Sequence, residues 1–178
     1  MGGGLAMLAA LKYPARVASL TLMATTSGGP DLSGPSKEFL DFVQGGNQPD
    51  WNDREAVIDY ILAMLRIMDG GTHNIEELIP RDAIRVDVER TVNVASSYIN
   101  HYLIELGDPI RPRLGKIQAP TLVIHGRNDS LFPMDHPRAI SNEIPGATLL
   151  VLPDCGHLIL APSWDRVIPA ILRHTSHT

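Results

Sequence analysis

The spacing of apolar residues divides the chain into parts with different periods. Three short, largely apolar runs end in polar or glycine-rich turns, as is typical of buried strands. These runs are VASLTLM at 17–23, TLVIH at 121–125 and TLLVL at 148–152. From residue 36 to about 110, apolar residues recur at intervals of three and four, which predicts three or more amphipathic helices and no strand. We therefore predict a core at 1–35 and 111–178 with a helical insert at 36–110.

Helices are predicted between and after these strands. An Ala/Leu-rich stretch from Met1 to Tyr13 is stopped by Pro14, and helical patterns recur at about 137–144 and 163–174. Strands that alternate with helices of this length favour parallel βαβ units. The fold class expected is therefore α/β, with a three-stranded parallel sheet, flanking helices and a helical insert.

Two polar residues stand just beyond the ends of successive predicted strands. Asp129 follows the run VIHG, and His157 follows the run LPDCG. Considered separately, Asp129 is typical of a turn and His157 of a solvated loop. Because the carboxyl ends of parallel strands share one edge of a sheet, we expect the two side chains to meet there. A carboxylate beside an imidazole fixes its tautomer and stabilises the imidazolium, which favours a catalytic pair.

Composition excludes several classes of partner. The formal net charge is -5 with a pI near 5.7, and no Lys/Arg cluster is longer than two, which argues against a nucleic-acid or membrane surface. The single Cys155 excludes an intramolecular disulfide and is consistent with a cytoplasmic protein. Apart from the tail pair His174 and His177, the histidines show no metal-ligand spacing, and no phosphate-binding loop occurs. We therefore expect neither metal nor cofactor.

At these motifs the chain resembles the α/β-hydrolase fold family. G-R-N-D-S-L-F-P and G-H-L resemble its acid and histidine loops, and M-G-G-G-L-A-M-L-A-A-L-K-Y-P resembles the helix after its nucleophile elbow, G-x-S-x-G. The resemblance covers essentially the whole chain, but only the later part of that fold. It implies that Gly2 is the second elbow glycine and Met1 the residue after the nucleophile. The serine would then stand one position before Met1, in a protein truncated just after it.

No other residue replaces this serine convincingly. The sequence lacks G-x-S-x-G. Ser27, Ser33 and Ser36 lie in a loop without this pattern, and Ser96 and Ser97 lie in a helical stretch of the insert. Cys155 is an alternative thiol nucleophile, disfavoured because it lies two residues before His157 on one loop. Asp135 and Asp154 are alternative acids.

The resemblance also implies consequences for activity and association. The backbone N–H of Met1 would be one oxyanion-hole donor, although here it would be a free α-amino group. We therefore expect this chain alone to be poorly active or inactive. One edge of the strand at 17–23 would be unpaired, which favours self-association.

The function implied is hydrolysis of a small, apolar, ester-like substrate by a Ser-His-Asp triad, beneath a cap formed by residues 36–110. The expected pocket residues are Met64, Met68, Tyr98, Tyr102 and Leu131. The resemblance is to serine esterases, including methylesterases that act on aromatic polyketides. Haloperoxidase-like enzymes and carbon–carbon bond hydrolases of the same fold stay open as alternatives, as does a binding module without catalysis. Dehalogenases and epoxide hydrolases, which use an Asp nucleophile, are disfavoured by the M-G-G start.

Overall fold

The computed structural model describes residues 1–46, 48–100 and 107–176. Its strands are β1 (Leu20–Met23), β2 (Thr121–Gly126) and β3 (Thr148–Leu152). Its α-helices are α1 (Gly2–Lys12), α2 (Lys37–Gln44), α3 (Arg54–Asp69), α4 (Ile75–Leu78), α5 (Arg81–Arg90), α6 (Val94–Ile99), α7 (Asp135–Glu143) and α8 (Trp164–Thr175). The predicted α/β class, with three parallel strands and flanking helices, is confirmed.

The three strands form one parallel sheet in the order β1-β2-β3. Two strands match the predicted runs, whereas β1 is shorter than 17–23 because a 3-10 turn at Pro14–Arg16 extends the preceding helix. The N–H of Val17 closes that turn on the carbonyl of Pro14 at 3.3 Å, so the strand starts later. All six residues of β2 are buried, since it lies between the other two strands.

Alternating side chains of β2 separate the core into two faces. Val123 packs with α1 and α7, through residues such as Met7 and Ile140. Leu122 and Ile124 point to the other face and pack with Val167 of α8. Burying each such aliphatic side chain stabilises the fold by about 1.5–3 kcal/mol, so the sheet is held from both sides.

The segment from α2 to α6 has an apolar cluster of its own. Val57, Ile61 and Leu62 of α3 pack against Ile84 and Val88 of α5. As predicted from the period, the described residues between 37 and 100 form helices and no strand. The Asp53 carboxylate caps α3 by accepting from the N–H groups of residues 55 and 56.

Among the described residues, β1 and β3 each have one strand neighbour, so each has an open edge. No helix in the described part of the chain is both long and apolar enough to cross a bilayer.

Candidate active site

The loops after β2 and β3 are bonded to each other through their backbones. The N–H of Arg127 donates to the carbonyl of Leu152 at 2.8 Å, and the N–H of Asn128 donates to the carbonyl of Cys155 at 3.0 Å. Gly126 permits this approach, since a Cβ there would lie 2.0 Å from the carbonyl oxygen of Gly156. The two loops therefore leave the sheet side by side.

This pairing brings Asp129 and His157 into contact. His157 Nδ1 lies 2.9 Å from Asp129 Oδ2. The other oxygen, Oδ1, accepts from the N–H groups of Leu131 at 2.8 Å and Phe132 at 2.9 Å. The expected meeting of the two side chains is therefore seen, with the carboxylate oriented by its own turn.

Asp129 is ionised although its side chain is fully buried. Burial raises its pKa, but hydrogen bonds from His125 and His157, together with the N–H of Phe132, outweigh burial and hold the pKa well below the ordinary range. A buried carboxylate that stays charged can stabilise a positive charge on the neighbouring imidazole.

In the part of the chain that the structure describes, only the Nδ1 nitrogen of the His157 imidazole is hydrogen-bonded. Its ring and that of Phe132 meet edge to face, with the centroids 5.5 Å apart, and its backbone N–H donates to the carbonyl of Met68 at 2.7 Å. Among the described residues, no hydrogen bond reaches Nε2, and 17% of the side chain is exposed. Nε2 is thus available for proton transfer while Nδ1 is fixed by Asp129.

A second histidine, not singled out from the sequence, contacts the same carboxylate. His125 is fully buried at the end of β2, with Nε2 2.8 Å from the carbonyl oxygen of Phe132 and 3.1 Å from Asp129 Oδ2. Both neighbours are acceptors, so Nε2 carries the hydrogen. Its Nδ1 is buried without a partner in the described part of the chain. The signal in the sequence is a histidine inside an otherwise apolar strand, four residues before the acid.

The alternative acids lie elsewhere. Asp135 Oδ2 accepts from the N–H of Ser33 at 2.6 Å, in the loop that follows β1. Asp154 is exposed. Neither residue is hydrogen-bonded to His157, so the geometry favours Asp129 over both.

The start of α1 packs against the loop that follows β1. Met1 precedes the helix and is exposed, and a Cβ on Gly2 would meet nothing within 4 Å. A Cβ on Gly3 would lie 2.3 Å from the Oγ1 of Thr25, so Gly3 is the glycine that this contact requires. The expected roles of Met1 and Gly2 stay predictions.

The alternative nucleophiles have other contacts. Cys155 is fully buried, its Sγ lies 3.1 Å from the carbonyl oxygen of Leu158, and burial raises the pKa of its thiol. Ser36 Oγ caps α2, and Ser97 Oγ donates to the carbonyl of Asn93. Within the described residues, no serine hydroxyl is hydrogen-bonded to His157. The contacts of these residues therefore do not favour any of them as the nucleophile.

The expected pocket residues lie on several elements of the fold. Tyr98 borders a cavity of about 310 Å3 together with Ile61 and Val88 of the helical segment. Met64 and Met68 are half-buried on α3, and Leu131 is half-buried beside Asp129. Tyr102 lies outside the described residues. Their role as substrate contacts stays a prediction.

No group of three or more His, Cys, Asp or Glu residues in the described part of the chain could hold a metal ion. The side chains of the Asp129–His157 pair are suited to acid–base chemistry.

Known proteins are similar to this chain in sequence and in fold. A family model described as alpha/beta hydrolase fold matches residues 1–162. A 2-hydroxy-6-oxononadienedioate/2-hydroxy-6-oxononatrienedioate hydrolase of Klebsiella pneumoniae is 31% identical over 163 residues, covering 88% of this chain and 53% of the relative. The rhodomycin D methylesterase of Streptomyces peucetius is 28% identical, covering 98% of this chain and 64% of the relative.

Solved structures show the same fold. The meta-cleavage product hydrolase of Pseudomonas fluorescens IP01 superposes with a TM-score of 0.72 at 23% identity, over 98% of this chain and 61% of that one. This chain spans 53% to 64% of the length of these curated relatives. The shared part contains the sheet, the loops after β2 and β3, and the helical segment.

Proposed function

This chain belongs to the α/β hydrolase fold family, and on that premise we propose that Asp129 and His157 are the acid and the base of a hydrolytic catalytic triad. The observation that carries the proposal is the 2.9 Å contact between His157 Nδ1 and Asp129 Oδ2, with Nε2 left available. In this arrangement Asp129 keeps the hydrogen of His157 on Nδ1, so that Nε2 can accept a proton from a nucleophile.

The proposed reaction is acyl transfer in two steps. His157 Nε2 removes the proton of a serine hydroxyl as its oxygen attacks the substrate carbonyl, and His157 then protonates the leaving group as the acyl-enzyme forms. His157 next removes a proton from water, which attacks the acyl-enzyme, and His157 then returns that proton to the serine oxygen as the acid is released. Asp129 stays ionised throughout and stabilises the imidazolium in both steps.

We assign the nucleophile to a serine that would precede Met1 in the pattern G-x-S-x-G, with Gly2 as the second elbow glycine. The packing of Gly3 against Thr25 supports this assignment, because it puts the start of α1 at the carboxyl end of β1, the edge of the sheet that carries the pair. The backbone N–H of Met1 would then be an oxyanion-hole donor at a helix start.

The substrate class proposed is a small apolar carboxylic ester. The methylesterase relative supports an ester, and the helical segment at 36–110 would act as the cap, contributing Met64, Met68 and Tyr98 beside Leu131. The second candidate is hydrolysis of a carbon–carbon bond next to a ketone, which the 31% identical dienedioate hydrolase supports. The same base would serve both reactions. A haloperoxidase-like activity is a further alternative within the fold.

The test compares turnover of an activated ester and of a 2-hydroxy-6-oxo-dienoate by a protein that extends upstream of Met1. We expect His157→Ala to lower turnover by roughly three or more orders of magnitude without unfolding the protein. The matched control is His174→Ala, because His174 bonds the carbonyl of Leu20 at the opposite, amino end of β1. Undiminished turnover by His157→Ala would reject the triad, and binding without turnover in the parent would support the binding module.

We also propose that the open edge of β1 mediates self-association of the 178-residue chain. The N–H of Leu20 donates to the carbonyl of Pro120, just before β2, and the N–H of Ala24 donates to the carbonyl of Ile124 in β2. Thr21 and Met23 therefore direct their backbone groups away from β2. Met23 is 46% exposed there. Sedimentation should detect dimers or larger species whose population falls in Thr21→Pro, which removes an edge donor.

A further inference from the structure

A second Asp–His pair lies at the carboxyl end of α3. Asp69 Oδ1 lies 2.7 Å from His73 Nδ1. Its Oδ2 accepts from the N–H groups of Thr72 and His73, each at 2.8 Å, and from the Thr72 hydroxyl at 3.0 Å. Burial raises the pKa of this fully buried carboxyl, but the bonds from His73 and Thr72 outweigh burial and lower it. Asp69 thus fixes the conformation of the turn at 70–73.

This turn is packed between the two loops of the candidate active site. A Cβ on Gly70 would lie 2.3 Å from the carbonyl oxygen of Asn128, in the acid loop. A Cβ on Gly156, in the histidine loop, would lie 2.2 Å from the carbonyl oxygen of Asp69. Backbone therefore touches backbone on both sides, with no flexible side chain between them to absorb a displacement.

One hydrogen bond connects the helix end to the base. The last four carbonyl groups of a helix have no partner within the helix. The carbonyl of Met68 belongs to this set, and it accepts from the N–H of His157 at 2.7 Å. The position of the His157 backbone is thus set partly by the last turn of α3.

We propose that Asp69 is a positioning residue for His157: by holding the turn at 70–73 it keeps the Met68 carbonyl in place for the His157 N–H. The helical segment is thereby coupled to the imidazole, so a movement of α3 would shift the base relative to the substrate. The consequence for turnover rests on the proposed hydrolase function, whereas the contact itself can be measured without any reaction.

The chain offers a matched pair of variants at residue 69. Asp69→Asn keeps an oxygen that can accept from the N–H groups of Thr72 and His73, and its NH2 group can donate to His73 Nδ1 in the other tautomer. Asp69→Ala removes both side-chain acceptors and leaves the part-buried N–H groups of Thr72 and His73 without these partners. If the hydrogen bonds of residue 69 rather than its charge hold the turn, the turn is kept in Asp69→Asn and lost in Asp69→Ala.

The measurement is amide hydrogen exchange by NMR on the 178-residue chain. The reporter is the N–H of His157, and the internal reference is the N–H of Asn128, which donates to the carbonyl of Cys155 within the joined loops. In Asp69→Ala we expect His157 exchange to accelerate about tenfold or more relative to Asn128, as for the loss of about 1.4 kcal/mol of local protection. In Asp69→Asn the ratio should stay within about threefold of the wild-type value.

Two results would overturn the positioning role. One is an equal acceleration of both amides in Asp69→Ala, which would indicate a general loss of stability. The other is an Asn variant that exchanges as fast as the Ala variant. If Asp69→Ala does not fold, Thr72→Val removes the hydroxyl contacts with Asp69 and with His73 Nδ1 but keeps the backbone N–H bonds to Asp69. It should still raise the exchange ratio about twofold to threefold. An unchanged ratio in Thr72→Val would count against the proposal.

Failure of this proposal is distinguishable from failure of the hydrolase assignment. The exchange ratio requires neither nucleophile nor substrate, so it can fail while His157→Ala still abolishes turnover. Conversely, if His157→Ala retained turnover, the triad would be rejected and the exchange ratio would be unaffected. In an active parent protein, Asp69→Ala should lower kcat more than it changes KM, because the base is displaced rather than the pocket.

Discussion

The two Asp–His pairs look alike in their immediate geometry. In each, a fully buried aspartate lies within hydrogen-bonding distance of a histidine Nδ1, at 2.9 Å for Asp129–His157 and 2.7 Å for Asp69–His73. The two histidine side chains are also similarly exposed, at 17% and 15%. In both, hydrogen bonds keep the carboxylate ionised against burial.

They differ in origin and in what surrounds them. His73 is four residues after Asp69, so one helix end and its turn form that pair. His157 is 28 residues after Asp129, and the pair exists because two strands end together. Oδ2 of Asp129 faces two imidazoles, whereas Oδ2 of Asp69 faces the backbone of its own turn. The same contact therefore supports a proposed catalytic role in one pair and a structural role in the other.

The largest difference between the two pairs is expected when each aspartate is replaced by asparagine and turnover is compared. At residue 129 both oxygens accept, and the backbone donors to Oδ1 force the new NH2 group toward His157 Nδ1. The hydrogen of His157 then moves to Nε2, so we expect turnover in an active parent to fall by about 10³–10⁴-fold. Asp69→Asn should change turnover less than about tenfold, since no reaction depends on the tautomer of His73. Similar losses in both variants would contradict this division of roles.

Adjacent glycines test the packing of α3 against the acid loop. Gly70 and Gly71 both have φ of 70°, but a Cβ at Gly71 would meet nothing within 4 Å. Gly71→Ala should therefore cost only the backbone strain, about 1–2 kcal/mol in the free energy of unfolding. Gly70→Ala adds a clash with Asn128 and should cost at least about 2 kcal/mol more. If urea denaturation gave equal losses of unfolding free energy for Gly70→Ala and Gly71→Ala, the acid loop would have moved to accommodate the new methyl group.

Acid denaturation should show how much the ionised carboxylates of Asp129 and Asp69 stabilise the fold. Because their pKa values are lowered in the folded state, each stabilises the fold fully above the ordinary carboxyl pKa of about 4, and this stabilisation is lost as pH falls further. Below pH 4 the free energy of unfolding should fall with pH less steeply in Asp69→Asn than in the wild-type protein. The difference in slope should be up to about 1.4 kcal/mol per pH unit. Exposed Asp41→Asn is the control, and an identical profile for the two variants would be inconsistent with an ionised Asp69.

His125 allows a finer comparison, since only the Asp129 pair has a second imidazole. His125→Gln keeps a donor for the Phe132 carbonyl and Asp129 Oδ2, whereas His125→Phe keeps the ring volume without the donor. We expect turnover to fall by about fivefold in Phe and less in Gln, as for one lost hydrogen bond of about 1 kcal/mol. The NMR signal of the His157 Nδ1 hydrogen should shift in Phe and return toward the wild-type position in Gln. The opposite order would rule out donation by His125.

Much of the fold could be predicted because its signals are local. The runs at 121–125 and 148–152 became β2 and β3, and the three-and-four spacing after residue 36 became helices. β1 was predicted too long, since the 3-10 turn before it depends on how Pro14 follows α1. The contact of Asp129 with His157 could also be predicted, because parallel strands bring their carboxyl ends to one edge.

The order of residues along the chain therefore specified the α/β class, the strand ends and the acid–histidine pair, through periodicity and the chemistry of two loops. It did not reveal that His125 faces the same carboxylate, or that the Met68 carbonyl accepts from the His157 N–H. The first contact depends on which way the imidazole of His125 points at the end of β2, and the second joins backbone groups on segments far apart in the chain. Backbone groups are the same in every residue, so only the packing of α3 between the two loops determines which of them meet.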